Sequence, residues 1–211
     1  MNNFLNSNIY GLTAESLSKG RTNIQVVTEM IAAGIKVIQY REKDKSSKEM
    51  YEECLAIRKL TQEAEVTFIV NDRLDLALAV DADGLHLGQD DLPIEIARNL
   101  LGPEKILGLS THSQEEAIKA EESGIVDYIG VGPIFDTETK KDAGKGLGLA
   151  YLEYVSQNIK LPFVAIGGIK ESNVQAVVNS GARMVAIVSD IVSAEDIFNK
   201  VKNINAKMID I

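Results

Sequence analysis

Short apolar runs recur along the chain, and each is followed by a longer stretch whose apolar positions fall on one helical face. Residues 9–13, 35–41, 68–70, 85–87, 106–110, 128–132, 163–166 and 184–188 are rich in β-branched and aromatic residues and read as strands. Residues 24–33, 47–64, 75–80, 93–101, 113–123, 149–157, 173–180 and 194–204 read as the helices between them. Punctuation agrees with this division. Gly34, Gly102, Gly124 and Gly181 stand where helices stop, Ser46 or Ser47 can cap one, and Pro93 sits where a first helical turn accepts proline.

Strand and helix alternate eight times with no linker or change of composition between units. That pattern predicts an α/β chain folded as a (β/α)8 TIM barrel in a single domain, residues 1–211. Most strands are continuously apolar, as expected when one face fills a barrel and the other lies under helices. An open doubly wound sheet has the same alternation and is the competing architecture. Residues 133–148 are the one long irregular connection, and length marks such loops as lids. Gly144, Gly146 and Gly148 would give this one backbone freedom.

In a barrel, chemistry gathers where strands end. The strand over 35–41 ends in Gln39-Tyr40-Arg41-Glu42-Lys43, and alternation puts Gln39, Arg41 and Lys43 on one face with Tyr40 and Glu42 on the other. Three donors on one face suit an anion such as diphosphate; a solvated charged strand end is the plainer reading. Asp72 and Asp91 each follow an apolar run, and Asn71 precedes the first. Parallel neighbours would deliver both carboxylates to one rim, where a hard cation such as Mg²⁺ binds one or two carboxylates plus water and phosphate. Capping of the next helix by Asp72 and Asp75 competes with that role. Ser110 should face the mouth, although capping by Ser110 or Ser113 explains its position equally well. Small residues after the last two strands, Gly167-Gly168 and Val188-Ser189, match the usual phosphate site of barrels.

Composition narrows the function classes. A net charge of −9 on 211 residues argues against non-specific nucleic-acid binding. No run approaches a membrane span and the first residues lack a signal-peptide pattern, so the expectation is a cytoplasmic protein without a membrane partner. Cys54 is the single cysteine and reads as a buried small hydrophobe, while His86, one of two histidines, reads as a hydrogen-bonded packing residue. Neither a nucleophilic triad nor a zinc spacing is present. Self-association into a homo-oligomer stays open.

Several motifs together resemble the thiamine-phosphate synthase family, within a superfamily that includes the thiazole tautomerase. They are QYREK at 39–43, VNDRLDLAL at 70–78, GLHLGQDDLP at 84–93, GLSTHS at 108–113, YIGVGPIF with TETKKDA up to 143, AIGGI at 165–169 and VAIVS at 185–189. The resemblance implies a barrel that joins a hydroxymethylpyrimidine diphosphate to a thiazole phosphate, giving thiamine phosphate and diphosphate. It implies that Gln39, Tyr40, Arg41, Glu42, Lys43, Asn71, Ser110 and Lys140 line the pyrimidine diphosphate site, with Arg41, Lys43, Ser110 and Lys140 catalytic. Asp72 and Asp91 would ligate Mg²⁺, and Thr137, Glu138, Thr139, Gly168, Val188 and Ser189 would hold the thiazole phosphate. Two departures stand out. Tyr40 replaces a common Leu, and Asp190 places a carboxylate next to the phosphate pocket, which is unfavourable unless the side chain turns outward. A tautomerase or a non-catalytic phosphate-binding barrel are the alternatives.

Overall fold

In a computed structural model, which describes residues 7–137 and 145–209, eight parallel strands close into a barrel in sequence order, β1 pairing with both β2 and β8. The strands are β1 (Ile9–Leu12), β2 (Val37–Tyr40), β3 (Thr67–Asn71), β4 (Gly84–Leu87), β5 (Ile106–Thr111), β6 (Tyr128–Val131), β7 (Phe163–Ile166) and β8 (Val185–Ile187). The helices are α1 (Asn23–Ala32), α2 (Ser47–Glu63), α3 (Leu74–Ala79), α4 (Ile94–Leu101), α5 (Gln114–Ser123), α6 (Leu149–Asn158), α7 (Val174–Asn179), α8 (Ser189–Val192) and α9 (Ile197–Ile209). The barrel is therefore the architecture, and the open sheet is excluded by the β1–β8 pairing.

Two elements lie outside the sequence expectation, a 3-10 turn at Glu15–Leu17 and the four-residue α8. Both are too short for a hydrophobic period to register. Caps follow the chemistry of their residues. Thr22 and Ser46 each form a capping box, with Gln25 and Glu49 respectively, and Ser113 accepts from the Glu116 N–H.

Alternation along the strands divides the apolar residues into two cores. Tyr10, Leu12, Val37, Ile69, Ile106, Tyr128, Val164, Met184 and Ala186 pack inside the barrel, while Ile38, Phe68, Val70, Leu85, Leu107 and Ile129 pack against the helices. Burying each large aliphatic side chain contributes about 1.5–3 kcal/mol, so apolar packing holds the strands from both faces except at β4, which adds nothing to the inner core. Cys54 is fully buried in the outer core, and burial pushes its thiol up to about 12.

Gly108 shows how tight the interior is. A Cβ there would lie 2.2 Å from the Tyr128 ring and 2.5 Å from His86 Nδ1, so the missing side chain makes room for both rings. Gly108→Ala should therefore cost about 1–3 kcal/mol by overpacking and lower the melting temperature by several degrees in a calorimetric scan. An unchanged melting temperature would contradict this packing.

Candidate active site

The strand ends bring most of the expected residues to one mouth. Gln39 points inward and is buried, with Nε2 donating to Tyr10 Oη at 2.9 Å. Two residues on, the Arg41 N–H donates to Thr13 Oγ1 at 2.8 Å, and Thr13 Oγ1 donates back to the Arg41 carbonyl at 3.2 Å. This clasp between β1 and β2 fixes the backbone that carries Arg41 and Lys43. Lys43 reaches across to Asp72, Nζ to Oδ2 at 3.5 Å.

Tyr40 and Glu42 do not join them. Tyr40 Oη donates to Glu53 on α2 at 2.6 Å, and Glu42 Oε1 accepts from Asn23 Nδ2 at 2.9 Å and from the Glu15 N–H at 2.9 Å. The two-residue period of an extended chain turns both side chains towards the helices, so the segment expected to bind pyrimidine diphosphate presents only alternate side chains to the mouth. Glu53 also accepts from Lys45 and Asn23. Although burial alone would raise it, the hydrogen bonds from Lys45, Tyr40 and Asn23 hold its carboxyl below the usual range. Burial, and then the neighbouring Glu53, push the Tyr40 phenol far up.

Asp72 follows β3 in a left-handed conformation, φ 59°, uncommon outside glycine but tolerated by Asp. Its N–H donates to the His86 carbonyl at 2.9 Å, extending the β3–β4 pairing by one residue. It is no cap. The residue at the start of α3 is Arg73, no side chain caps that helix, and Asp75 pairs with Arg73 instead. The Asp72 carboxyl is raised above its ordinary value, first by burial and then by hydrogen bonding and repulsion with Asp91; Lys43 partly offsets this. Asp91 is steadied by its own loop, Oδ2 accepting from the Gly88 N–H at 2.7 Å. Two carboxylates pressed together beside one lysine form a donor set that a small hard cation would relieve. Among the described residues, no group of three or more His, Cys, Asp or Glu side chains is placed to hold a metal. Such a cation would complete its shell with water and substrate oxygens.

Ser110 faces the interior, its Oγ 3.0 Å from His86 Nε2, and its carbonyl accepts from Gln89 Nε2 at 2.7 Å. Capping falls to Ser113 alone. Behind Ser110, Tyr128 Oη lies 2.8 Å from His86 Nδ1 and 2.9 Å from Tyr10 Oη. His86 is hydrogen-bonded, as expected, but its partners inside the barrel were not foreseen. Inward alternation of β1, β4 and β6 is the signal that places Tyr10, His86 and Tyr128 together.

At the far side of the mouth, Gly167 and Gly168 take positive φ values of 99° and 64°. A Cβ on Gly168 would meet the Asp136 carbonyl at 2.6 Å, so glycine lets the connection after β6 pack across the end of β7. Ile134 N–H donates to the Ile166 carbonyl at 2.9 Å, and Phe135 N–H to the Gly167 carbonyl at 3.0 Å. The returning stem is pinned as well, with Gly148 N–H bonded to the Ile134 carbonyl at 2.9 Å and Gly146 N–H to Asp136 Oδ1 at 2.7 Å. A Cβ on Gly146 would lie 2.7 Å from the Phe135 backbone, and Gly148 takes a positive φ of 78°. Thr137 is at the edge of this stem; Glu138, Thr139, Lys140 and Gly144 lie outside the described residues. Val188 connects β8 to α8, Ser189 opens that helix, and Asp190 turns outward, its Oδ2 accepting from the Glu171 N–H at 2.8 Å with Lys200 3.6 Å from Oδ1.

Eight parallel strands closed in sequence order, with Lys43, Asp72, Asp91 and Ser110 following or ending them at one rim, define the class, a (β/α)8 barrel enzyme acting on small molecules. Residues 9–191 match the family model described as thiamine monophosphate synthase. The chain is 60% identical over 206 residues to the thiamine-phosphate synthase of Pelotomaculum thermopropionicum, covering 98% of this chain and 94% of that one. It is 52% identical to the thiamine-phosphate synthase of Lawsonia intracellularis, over 92% and 88% of the two chains. The solved thiamine phosphate pyrophosphorylase of Pyrococcus furiosus superposes with a TM-score of 0.87 at 38% identity, covering 95% of each chain. The chain belongs to the thiamine monophosphate synthase family, and its activity is that of a transferase of thiamine biosynthesis, thiamine-phosphate synthase.

The raised Asp72 has a thermodynamic consequence. A carboxyl that holds its proton more tightly when folded loses stability as pH rises from the ordinary Asp range through the raised value. In metal-free buffer at neutral pH, Asp72→Asn should therefore melt higher than the parent, and the gain should vanish at a pH below the ordinary Asp range. Thermal melts at the two pH values check this; a less stable variant at neutral pH would contradict it.

Proposed function

We propose that the mouth transfers the hydroxymethylpyrimidine group of an aminopyrimidine diphosphate to the ring nitrogen of a thiazole phosphate, releasing diphosphate, on a single barrel domain acting in the cytoplasm without nucleic-acid or membrane partners. Among the described residues, no helix is long and apolar enough to cross a membrane. The observation that carries the reading is the contact of Lys43 with Asp72, whose carboxyl lies against that of Asp91.

Gln39, Arg41, Lys43, Asn71 and Ser110 take the pyrimidine diphosphate, with Lys140 joining from the loop. Gly168, Val188 and Ser189, with Thr137 and Thr139, take the thiazole phosphate. Asp72 and Asp91 would hold Mg²⁺, which neutralises charge on the departing diphosphate when bound. The aminopyrimidine delocalises positive charge onto its exocyclic nitrogen, so diphosphate departs first and the thiazole nitrogen then attacks with its lone pair. That attack removes no proton, in keeping with a site whose fixed charges matter more than a general base. Arg41, Lys43 and Lys140 stabilise the leaving anion by preorganised charge. A tautomerase reading has no need of the Lys43, Asp72 and Asp91 constellation.

Incubating the purified protein with both substrates and Mg²⁺ should yield thiamine phosphate, chelator should abolish it, and Mg²⁺ should restore it. Product formed in excess chelator would refute the metal role. Lys43→Ala should raise KM for the pyrimidine diphosphate by about tenfold or more, and Ser189→Ala should raise KM for the thiazole phosphate. A rise for the same substrate in both variants would collapse the two pockets into one.

In this reading the 133–148 connection acts as a lid over both substrates, as its length among short connections suggests. Limited proteolysis at Lys140, Lys141 or Lys145 should slow when thiamine phosphate, diphosphate and Mg²⁺ are present. Unchanged cutting at saturating ligand would remove the lid and its three polar residues from the site.

A further inference from the structure

Asp190 stands where the resemblance has a small residue, and its carboxylate joins two segments that are otherwise held separately. The loop after β7 is stapled within itself, Asn173 Nδ2 donating to the Gly168 carbonyl at 3.0 Å and the Lys170 N–H donating to Asn173 Oδ1 at 2.7 Å. The short helix α8 has its own supports. Ser193 Oγ donates to the Ser189 carbonyl at 2.6 Å, and Arg21 Nη2 donates to the Val192 and Ala194 carbonyls at 2.6 and 2.8 Å. Asp190 Oδ2, accepting from the Glu171 N–H at 2.8 Å, ties the loop to the helix.

A tie made with a carboxylate brings a charge with it. Asp190 adjoins Ser189 in the chain, so an uncompensated charge there would act over about 8 Å on a phosphate held at Ser189. Repulsion of a dianion at that range amounts to about a tenfold loss of affinity at the dielectric of a protein surface. Lys200 on α9 answers it, with Nζ 3.6 Å from Asp190 Oδ1 and donating to Glu171 Oε2 at 2.9 Å. Lys207 Nζ lies 3.2 Å from Glu171 Oε1. Two cations therefore face two carboxylates, and removal of Lys200 would leave Asp190 without the ammonium that faces it. The hydrogen bond to Glu171 and the charge of Asp190 outweigh partial burial and raise Lys200 above its ordinary value, so it is charged at neutral pH.

We propose that Asp190 and Lys200 are positioning residues for the phosphate pocket: Asp190 sets the spacing between the Gly167-Gly168 loop and the helix that Ser189 opens, and Lys200 cancels the charge that this tie introduces. The proposal rests on the reading that Gly168, Val188 and Ser189 hold the thiazole phosphate, and extends it to two side chains that do not touch substrate. They act as a pair. Loss of the cation alone is therefore worse than loss of both charges.

Steady-state kinetics with each substrate varied in turn tests the pairing. Lys200→Met should raise KM for the thiazole phosphate about tenfold and leave kcat and the pyrimidine diphosphate KM close to the parent values. The rise should shrink at high salt, because screening weakens the repulsion. Lys200→Arg should keep the parent KM. In Asp190→Asn/Lys200→Met the amide oxygen still accepts from the Glu171 N–H while the charge is gone, so most of the loss should be recovered although both ionic partners are missing. An unchanged KM in Lys200→Met, equal losses for both substrates, or a double variant worse than the single one would overturn the proposal. Should Lys200→Met fail to fold, the double variant and Lys200→Arg decide it, since each is expected near the parent KM. Ser189→Ala separates the two levels of inference. If it raises the thiazole phosphate KM while Lys200→Met does not, the pocket stands and the pairing falls; if it leaves that KM unchanged, the pocket assignment fails and the pairing falls with it.

Discussion

Closing eight short parallel strands into a barrel leaves room inside for only alternate residues of each strand, and the site depends on that limit. Where both neighbours are large, the interior fills with aliphatic side chains such as Val37, Ile69 and Val164. Where Gly108 removes a side chain, the rings of Tyr128 and His86 take the space and bring polar atoms with them. Those atoms are satisfied by one another, as burial requires. The upper barrel is consequently polar and linked to the strand ends through Gln39 and Ser110.

The same alternation sorts charge. Inward positions at the end of β2 deliver Gln39 and lead on to Arg41, while outward positions send Tyr40 and Glu42 into a buried cluster with Asn23, Lys45 and Glu53. That cluster holds the strand end from behind, and the Thr13 clasp holds it from the side. The backbone that carries Arg41 and Lys43 is thus fixed by hydrogen bonds. The carboxylate pair is the opposite kind of feature. Asp72 and Asp91 oppose each other, a local cost of the sort that functional sites carry.

The glycines after β7 make a further point about economy. Gly167 and Gly168 let the connection after β6 cross close to the strand end, and hydrogen bonds pin both stems of that connection. Asp190, next to Ser189, keeps the rim free of another carboxylate by bonding outward to the Glu171 N–H and Lys200. The two described stems and the strand end are joined by hydrogen bonds.

The barrel, its strand order and the residues at its mouth were legible in the chain because hydrophobic period and turn residues are local properties, and the motifs from Gln39 to Ser189 are local as well. Their match to the family confirmed the activity. Folding decided what depends on separation in sequence. It brought Tyr10 against Tyr128, 118 positions away, and Tyr128 against His86, 42 positions away. It set Asp72 in a left-handed turn beside Asp91 rather than as a cap, and packed Gly146 against the Phe135 backbone. A residue's type and spacing say which face it occupies. Its partners across a closed barrel follow from register and shear, which no short stretch of chain encodes.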